Sequence, residues 1–317
     1  MKTKTNLGIL FLFIILISGC GNKSVPKAEN ESPGTLKVLS YNVYWGMKED
    51  TTADKRLFSE WIKKQNPDIL ALQEMNGFSQ ENSEFIPKEK AVKKYIQRFA
   101  ESYGHPYAYI VREPAPDGSV SFPVAITSKY PIVNVRRVLE NSIHGFLEAE
   151  IKGYHFIITH FHPFSAKKRS YELEQILATM AAKPADSKWF LIGDLNSVSP
   201  LDKKEYDNHL LRDFIRADRE KRPHNKNLGE DDELDYSIQQ KILDAGFVDA
   251  FKLFHPDFVA SAPTRMAYDQ SKHPLRYDYI YVSPNIKAEV KSCDLIKDEF
   301  TDIYSDHYPV VLTLNAK

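Results

Sequence analysis

Trp189-Phe190-Leu191-Ile192-Gly193-Asp194-Leu195-Asn196 holds the reading in one stretch. Four consecutive apolar residues make a short strand at 189–192, and the Gly-Asp-x-Asn that follows sets two polar side chains where a rigid strand opens into a loop. Taken alone, Asp194 and Asn196 are most simply turn residues capping backbone amides. The argument comes from the recurrence of this arrangement along the chain.

Working outward, the pattern predicts a strand at 36–43 and a helix at 55–65, with Leu57, Phe58, Trp61 and Ile62 on one face and Asn66-Pro67 as its stop. A buried strand follows at 68–73. A second helix is expected at 88–103, punctuated by Gly104. The middle reads as strands at 107–111, 124–128, 133–139, 145–151 and 154–161, the last two joined through Lys152-Gly153 as a hairpin. A helix fits 170–181. The polar stretch 199–235 carries a helix near 205–217, another helix fits 237–245, and strands close the chain at 277–282, 286–292 and 308–314. Strands and helices interleave without a strict βαβ repeat, which favours two sheets packed face to face with helices outside.

Polar residues collect at the strand ends. Asn42 closes the first strand and Glu74 the second; His160 and His162 end a hairpin strand; Asp278 lies in Arg276-Tyr277-Asp278-Tyr279; Asp306-His307 precedes the last strand. These places offer carboxylate, amide and imidazole groups with no thiolate among them. Such an inventory suits a hard divalent cation, held by one or two carboxylates with water and substrate phosphate, better than zinc. His105, His155 and His255 have no telling sequence context.

The chain has 317 residues, 42 Lys+Arg against 43 Asp+Glu, and 42% hydrophobic residues. This is a globular composition with no overall basic field of the kind that marks a general nucleic-acid binder. Residues 1–19 read as an export signal: Lys2 and Lys4, an apolar run at 7–17, then Ser18-Gly19-Cys20. Residues 20–35 read as a polar tether with two prolines, and 36–317 as a single domain with no comparable linker. Without residues 1–19 the charges stand at 40 against 43, a net of −3. Cys20 and Cys293 make no disulfide framework.

Two resemblances follow from these residues. Ile17-Ser18-Gly19-Cys20 resembles a bacterial lipobox, which implies lipidation at Cys20 and a cell-envelope location, anchored to a membrane by that lipid. Val38-Leu39-Ser40-Tyr41-Asn42-Val43, Asp68 to Glu74, Ala125-Ile126-Thr127-Ser128-Lys129-Tyr130-Pro131, Thr159-His160, Ile192 to Asn196, Tyr277-Asp278-Tyr279-Ile280 and Ser305 to Pro309 together resemble, in order, the endonuclease/exonuclease/phosphatase superfamily with its deoxyribonuclease I-like fold. That resemblance spans residues 38–310. It implies a four-layer α/β sandwich, two mixed β-sheets packed face to face and flanked by helices. It also implies phosphoester cleavage with a divalent metal, usually Mg2+, with Mn2+ or Ca2+ as substitutes. By position, Glu74 resembles the principal metal ligand, with Asn42 beside it and Asp306 near the metal. His307 resembles the catalytic histidine, Asp278 its hydrogen-bonded partner, Asp194 and Asn196 the pair handling water and phosphoryl oxygens, and His160 a second imidazole donor to phosphate. Either Asp194 or His307 serves as the base in this scheme.

The chain departs from the family's common pattern at Phe122-Pro123-Val124, where many members carry glycine, so a stiffer backbone and a bulkier wall are expected there. His162 is a candidate substrate contact, and Lys167-Lys168-Arg169 reads as a solvated face that could meet phosphate. The expected activity is a phosphodiesterase, either a nuclease on extracellular nucleic acid or a phospholipid head-group hydrolase, with no protein partner inferred. A phosphomonoesterase and a non-catalytic binding lipoprotein are the alternatives; the intact set of site residues weighs against the second.

Overall fold

The computed structural model describes residues 34–80, 94–112, 121–267 and 273–315. The expected signal at 1–19, Cys20 and all but the end of the tether at 20–35 lie outside the described residues.

Fourteen strands are described: β1 (Thr35–Asn42), β2 (Ile69–Gln73), β3 (Phe78–Ser79), β4 (Lys94–Tyr95), β5 (Tyr107–Ile110), β6 (Ala125–Ser128), β7 (Val133–Val138), β8 (Phe146–Ile151), β9 (Tyr154–His160), β10 (Lys188–Asp194), β11 (Val248–Asp249), β12 (Asp278–Val282), β13 (Val290–Leu295) and β14 (Val310–Asn315). They form two six-stranded sheets, ordered β13-β14-β1-β2-β6-β5 and β11-β12-β10-β9-β8-β7, with β3 and β4 as a separate pair. In both sheets the central pair is parallel, β1 with β2 and β10 with β9, and every other neighbour is antiparallel. The two halves therefore share a pairing scheme although no sequence repeat connects them.

Strand alternation builds the layers. Leu36 and Val38 of β1, Ile69 and Ala71 of β2, Phe156 and Ile158 of β9, Phe190 and Ile192 of β10, and Ile280 and Val282 of β12 join one buried cluster between the sheets. The intervening residues face outward. Leu39, Tyr41, Leu70 and Leu72 pack on Phe58, Trp61 and Ile62 of helix Arg56–Gln65 and on Ile96 and Phe99 of helix Ile96–Glu101. On the other side Ile157, Trp189, Leu191, Tyr279 and Tyr281 pack on Leu173 and Ile176 of helix Ala166–Ala181 and on Ile238 and Ile242 of helix Ser237–Asp244. This is the expected four-layer α/β sandwich.

Several boundaries differ. Only Ile96–Glu101 of the helix expected at 88–103 is helical among the described residues, because Lys94–Tyr95 pairs in parallel with Phe78–Ser79. The helix expected from 170 begins at Ala166, where the Ser165 hydroxyl accepts from the Lys168 amide and caps it. The strand expected at 286–292 is displaced. Pro284 opens a 3-10 turn, Pro284–Glu289, and the strand that pairs with β14 begins at Val290.

The polar excursion folds around Val198, Tyr206, Leu211, Ile215 and Leu228. Its helix, expected near 205–217, lies at Leu210–Lys221. Buried Arg276 ties the excursion to the second sheet, reaching Asp202 at 2.6 Å and Asp249 at 2.7 Å.

Candidate active site

The alternation that fills the space between the sheets also builds the site. On β10, Phe190 and Ile192 point into that space, so Asp194, two residues on, must face the same way. His160 continues the row of Phe156 and Ile158, and Asp278 begins the row of Ile280 and Val282. In the ladder Asp194 is flanked by both, opposite His160 on one side and Asp278 on the other. Asn42 likewise ends the inward row of β1. Polar groups thus replace apolar ones at one rim of the sandwich.

Gly193 allows β9 and β10 to approach at that rim. A Cβ there would sit 1.8 Å from the carbonyl oxygen of Thr159, and its φ of 148° is open to glycine. Glu74 arrives by a different device. Alternation would send it outward with Leu70 and Leu72, but its left-handed φ of 62° breaks the strand. Its carboxylate instead accepts from the Asn42 amide at 3.2 Å and from the Trp45 backbone N–H at 2.8 Å.

The remaining contacts join the two sheets. Asn42 Nδ2 also donates to Asp194 Oδ2 at 3.1 Å. The other oxygen of Asp194 accepts the Asn196 amide at 2.9 Å, while the Asn196 side chain donates to the Phe161 carbonyl. His307 Nδ1 meets Asp278 Oδ2 at 2.8 Å; its Nε2 lies 3.8 Å from Asp194 Oδ2 and 4.0 Å from Asp306 Oδ1. His160 Nε2 lies 3.5 Å from Asp194 Oδ2. Ser305 holds the assembly from below, its hydroxyl donating to the Asn42 carbonyl and accepting from the His307 amide. All eight residues singled out for metal and catalysis therefore fall in one network or beside it.

Burial pushes the Asp194 carboxyl up to about 7; the charge of His307 opposes that shift and Asp278 adds to it. Burial would lower His307, but Asp278, Asp306 and Asp194 outweigh it and hold the imidazole well above its ordinary range. His160 goes the other way, pushed well down by burial and then by the neighbouring His144 and His307. Burial and neighbouring charge thus shift the two imidazoles in opposite directions. Glu74 is raised, first by burial and then by Asp306.

Two donor sets could hold a metal. Asp194, Asp278 and His307 offer ligand atoms within 4.8 Å of one another. In that set the imidazole and Asp278 already satisfy each other. Glu74, Asn42 and Asp306 form the other. Among the described residues Asp306 Oδ1 is buried without a hydrogen-bond partner, and Glu74 and Asp306 repel each other's charge. A buried carboxylate oxygen that lacks a hydrogen bond and a destabilised neighbour are what a hard cation would relieve, so these residues fit the metal that the donor chemistry implies.

The structure also places the residues left without a firm role. His162 is buried, its backbone N–H bound by Glu172 and its ring Nδ1 accepting from the Phe164 amide, so it serves the loop after β9. In the Lys167-Lys168-Arg169 run the lysines are exposed but Arg169 is buried, donating to the His162 carbonyl and to Asn227. His105 lies in the core between Thr127 and the Pro67 carbonyl. Two site residues had no legible signal. Ser261 donates to Asp278 Oδ2 at 2.6 Å while accepting from the backbone amides of 277 and 278. His144 stacks on His160 with centroids 4.4 Å apart.

A twin-sheet sandwich with carboxylates, amides and imidazoles gathered at one rim is a site of the kind that can hold a cation and polarise a phosphoester. Comparison with known families makes this specific. Residues 39–307 match the model of the endonuclease/exonuclease/phosphatase family, and the chain belongs to that family. No curated protein matches the sequence.

Among solved structures, an AP endonuclease from Archaeoglobus fulgidus is similar in fold, with a TM-score of 0.59 and 21% identity over 88% of this chain and 99% of that one. A variant of the 3' phosphatase NExo from Neisseria, solved with a product DNA hairpin, gives 0.57 and 18% over 87% and 98%. An endonuclease/exonuclease/phosphatase from Beutenbergia cavernae DSM 12333 gives 0.58 and 17% over 89% and 72%.

Proposed function

We propose that the protein is a divalent-metal-dependent phosphodiesterase, using Mg2+, held at a membrane by a lipid on Cys20. The observation that carries the catalytic reading is the convergence of Asn42, Glu74, His160, Asp194, Asn196, Asp278, Asp306 and His307 from both sheets on one rim. Glu74, Asn42 and Asp306 would hold the metal, which when bound supplies charge neutralisation for the phosphoryl oxygens.

The chain's own residues do the rest. A phosphodiester repels an anionic nucleophile, so charge moving onto the phosphoryl oxygens and leaving group must be met by preorganised donors. His307, cationic and fixed through Nδ1 by Asp278, presents Nε2 to that charge. Asp194, with its carboxyl raised to about 7 and held by Asn42 and Asn196, is suited to accept a proton from water near neutral pH. His160 stays neutral against His144 and adds a hydrogen-bond donor on the far side of Asp194.

The AP endonuclease and the DNA-bound phosphatase named above favour a nucleic-acid substrate, and the envelope location would make it extracellular. A phospholipid head group is the competing substrate. Turnover of a synthetic phosphodiester with Mg2+, set beside the corresponding monoester, nucleic acid and sphingomyelin, tests the reading. Hydrolysis of the diester well above the monoester is expected; a preference for the monoester would make the protein a phosphatase.

A further inference from the structure

We propose that Trp45 and Phe122 form a stacking site for a nucleobase linked to the scissile phosphate; this rests on the phosphodiesterase reading and narrows its substrate to nucleotides. The indole of Trp45 is 43% exposed, against 5% for Trp61 and 4% for Trp189, the other two tryptophans of the chain. Its ring meets Phe122 at a centroid distance of 4.7 Å and an interplanar angle of 79°, so the pair makes a corner, and among the described residues no parallel ring covers the indole. Exposing a large aromatic side chain forgoes burial energy.

The backbone fixes the exposure. Tyr44, Trp45 and Gly46 all have positive φ, 51°, 52° and 69°, and a Cβ on Gly46 would lie 2.2 Å from the Asn76 carbonyl oxygen. The loop is locked against the turn after Glu74. The Trp45 amide holds Glu74 Oε2 at 2.8 Å.

Phe122 extends the corner toward the other side of the site. It meets His144 edge to face at 5.5 Å, and His144 stacks on His160. The aromatic corner therefore borders the catalytic rim from the Glu74 side to the His160 side, and a group attached to a phosphate at that rim comes within its reach.

A flat ring is the occupant that two perpendicular aromatic planes select. The residues flanking Trp45 do not continue an apolar surface suited to a bilayer. Lys48 lies over the Tyr44 ring at 4.9 Å and pairs with Glu49 at 3.8 Å. With 42 basic against 43 acidic residues the chain has no overall basic field to grip a duplex by its backbone. Base stacking supplies affinity that depends on neither sequence nor a long basic track, which suits short or single-stranded nucleotide substrates.

Trp45 fluorescence tests this without turnover, because the other two indoles are buried. A short oligodeoxyadenylate titrated into the full-length protein in EDTA should quench emission saturably, and Trp45→Phe should abolish the response. With Mg2+, kcat/KM for the oligonucleotide relative to one of equal charge carrying abasic sugars should fall about tenfold in Trp45→Ala, chiefly through KM, with partial retention in Trp45→Phe. Absence of quenching, an unchanged ratio, or a response to sphingomyelin vesicles with none to the oligonucleotide would overturn the proposal. If the oligonucleotide quenches but no diester is hydrolysed, stacking stands and the phosphodiesterase reading falls.

Discussion

Asp278 Oδ2 accepts from the Ser261 hydroxyl at 2.6 Å and from His307 Nδ1 at 2.8 Å, so a single oxygen orients the imidazole that faces Asp194. A buried carboxylate in this position is costly unless paired, and the pairing fixes both its own geometry and that of the ring. Asp278→Asn and His307→Ala should each slow hydrolysis by roughly a hundredfold or more, the scale of acid–base assistance. The double variant should lose little beyond the worse single. Losses that simply multiply in a double-mutant cycle of kcat would mean that the two side chains act independently. At this scale the sequence shows the site well where a polar residue bounds an apolar run, ending it at Asn42 and Asp194 and opening it at Asp278. It hides Ser261 and His144, because each reaches the site from a loop whose approach depends on distant pairing. Ser261 is bound through the backbone of 277 and 278, and His144 rests on His160.

Strands and helices follow local periodicity wherever one face is buried. Helix Arg56–Gln65 buries Phe58, Trp61 and Ile62 as its spacing predicts, and Asn66 ends it in a left-handed conformation before Pro67. Non-local pairing decides the exceptions. Lys94–Tyr95 leaves the expected helix because Phe78–Ser79 offers a strand edge, and Val290–Leu295 takes its boundary from β14. The union of β9 and β10 depends on Gly193, whose missing side chain lets the Thr159 carbonyl approach. Gly193→Ala should therefore destabilise the protein by about 3 kcal/mol or more, since the clash is with backbone. Urea unfolding measures it; a midpoint near wild type would show that the strands separate without cost.

Across the whole molecule, two sheets with the same order of pairing bring their polar ends to a common rim, a symmetry with no trace in the sequence because alternation constrains polarity and size, not identity. What lies outside that sandwich is addressed by the N-terminal motif. Wild-type protein should fractionate with membranes and Cys20→Ser should not; unmodified Cys20 in the mature wild-type chain would remove the anchor from the account.

The proposed chemistry depends on a divalent cation held through Glu74 at the rim. Its most direct test is the rate of phosphodiester hydrolysis as Mg2+ is titrated into metal-stripped wild-type and Glu74→Gln proteins. Wild type should show no turnover without metal and recover on adding Mg2+, and the Glu74→Gln curve should be displaced to at least roughly tenfold higher Mg2+. Wild-type turnover that persists after stripping, or a Glu74→Gln curve that overlays wild type at limiting Mg2+, would contradict it.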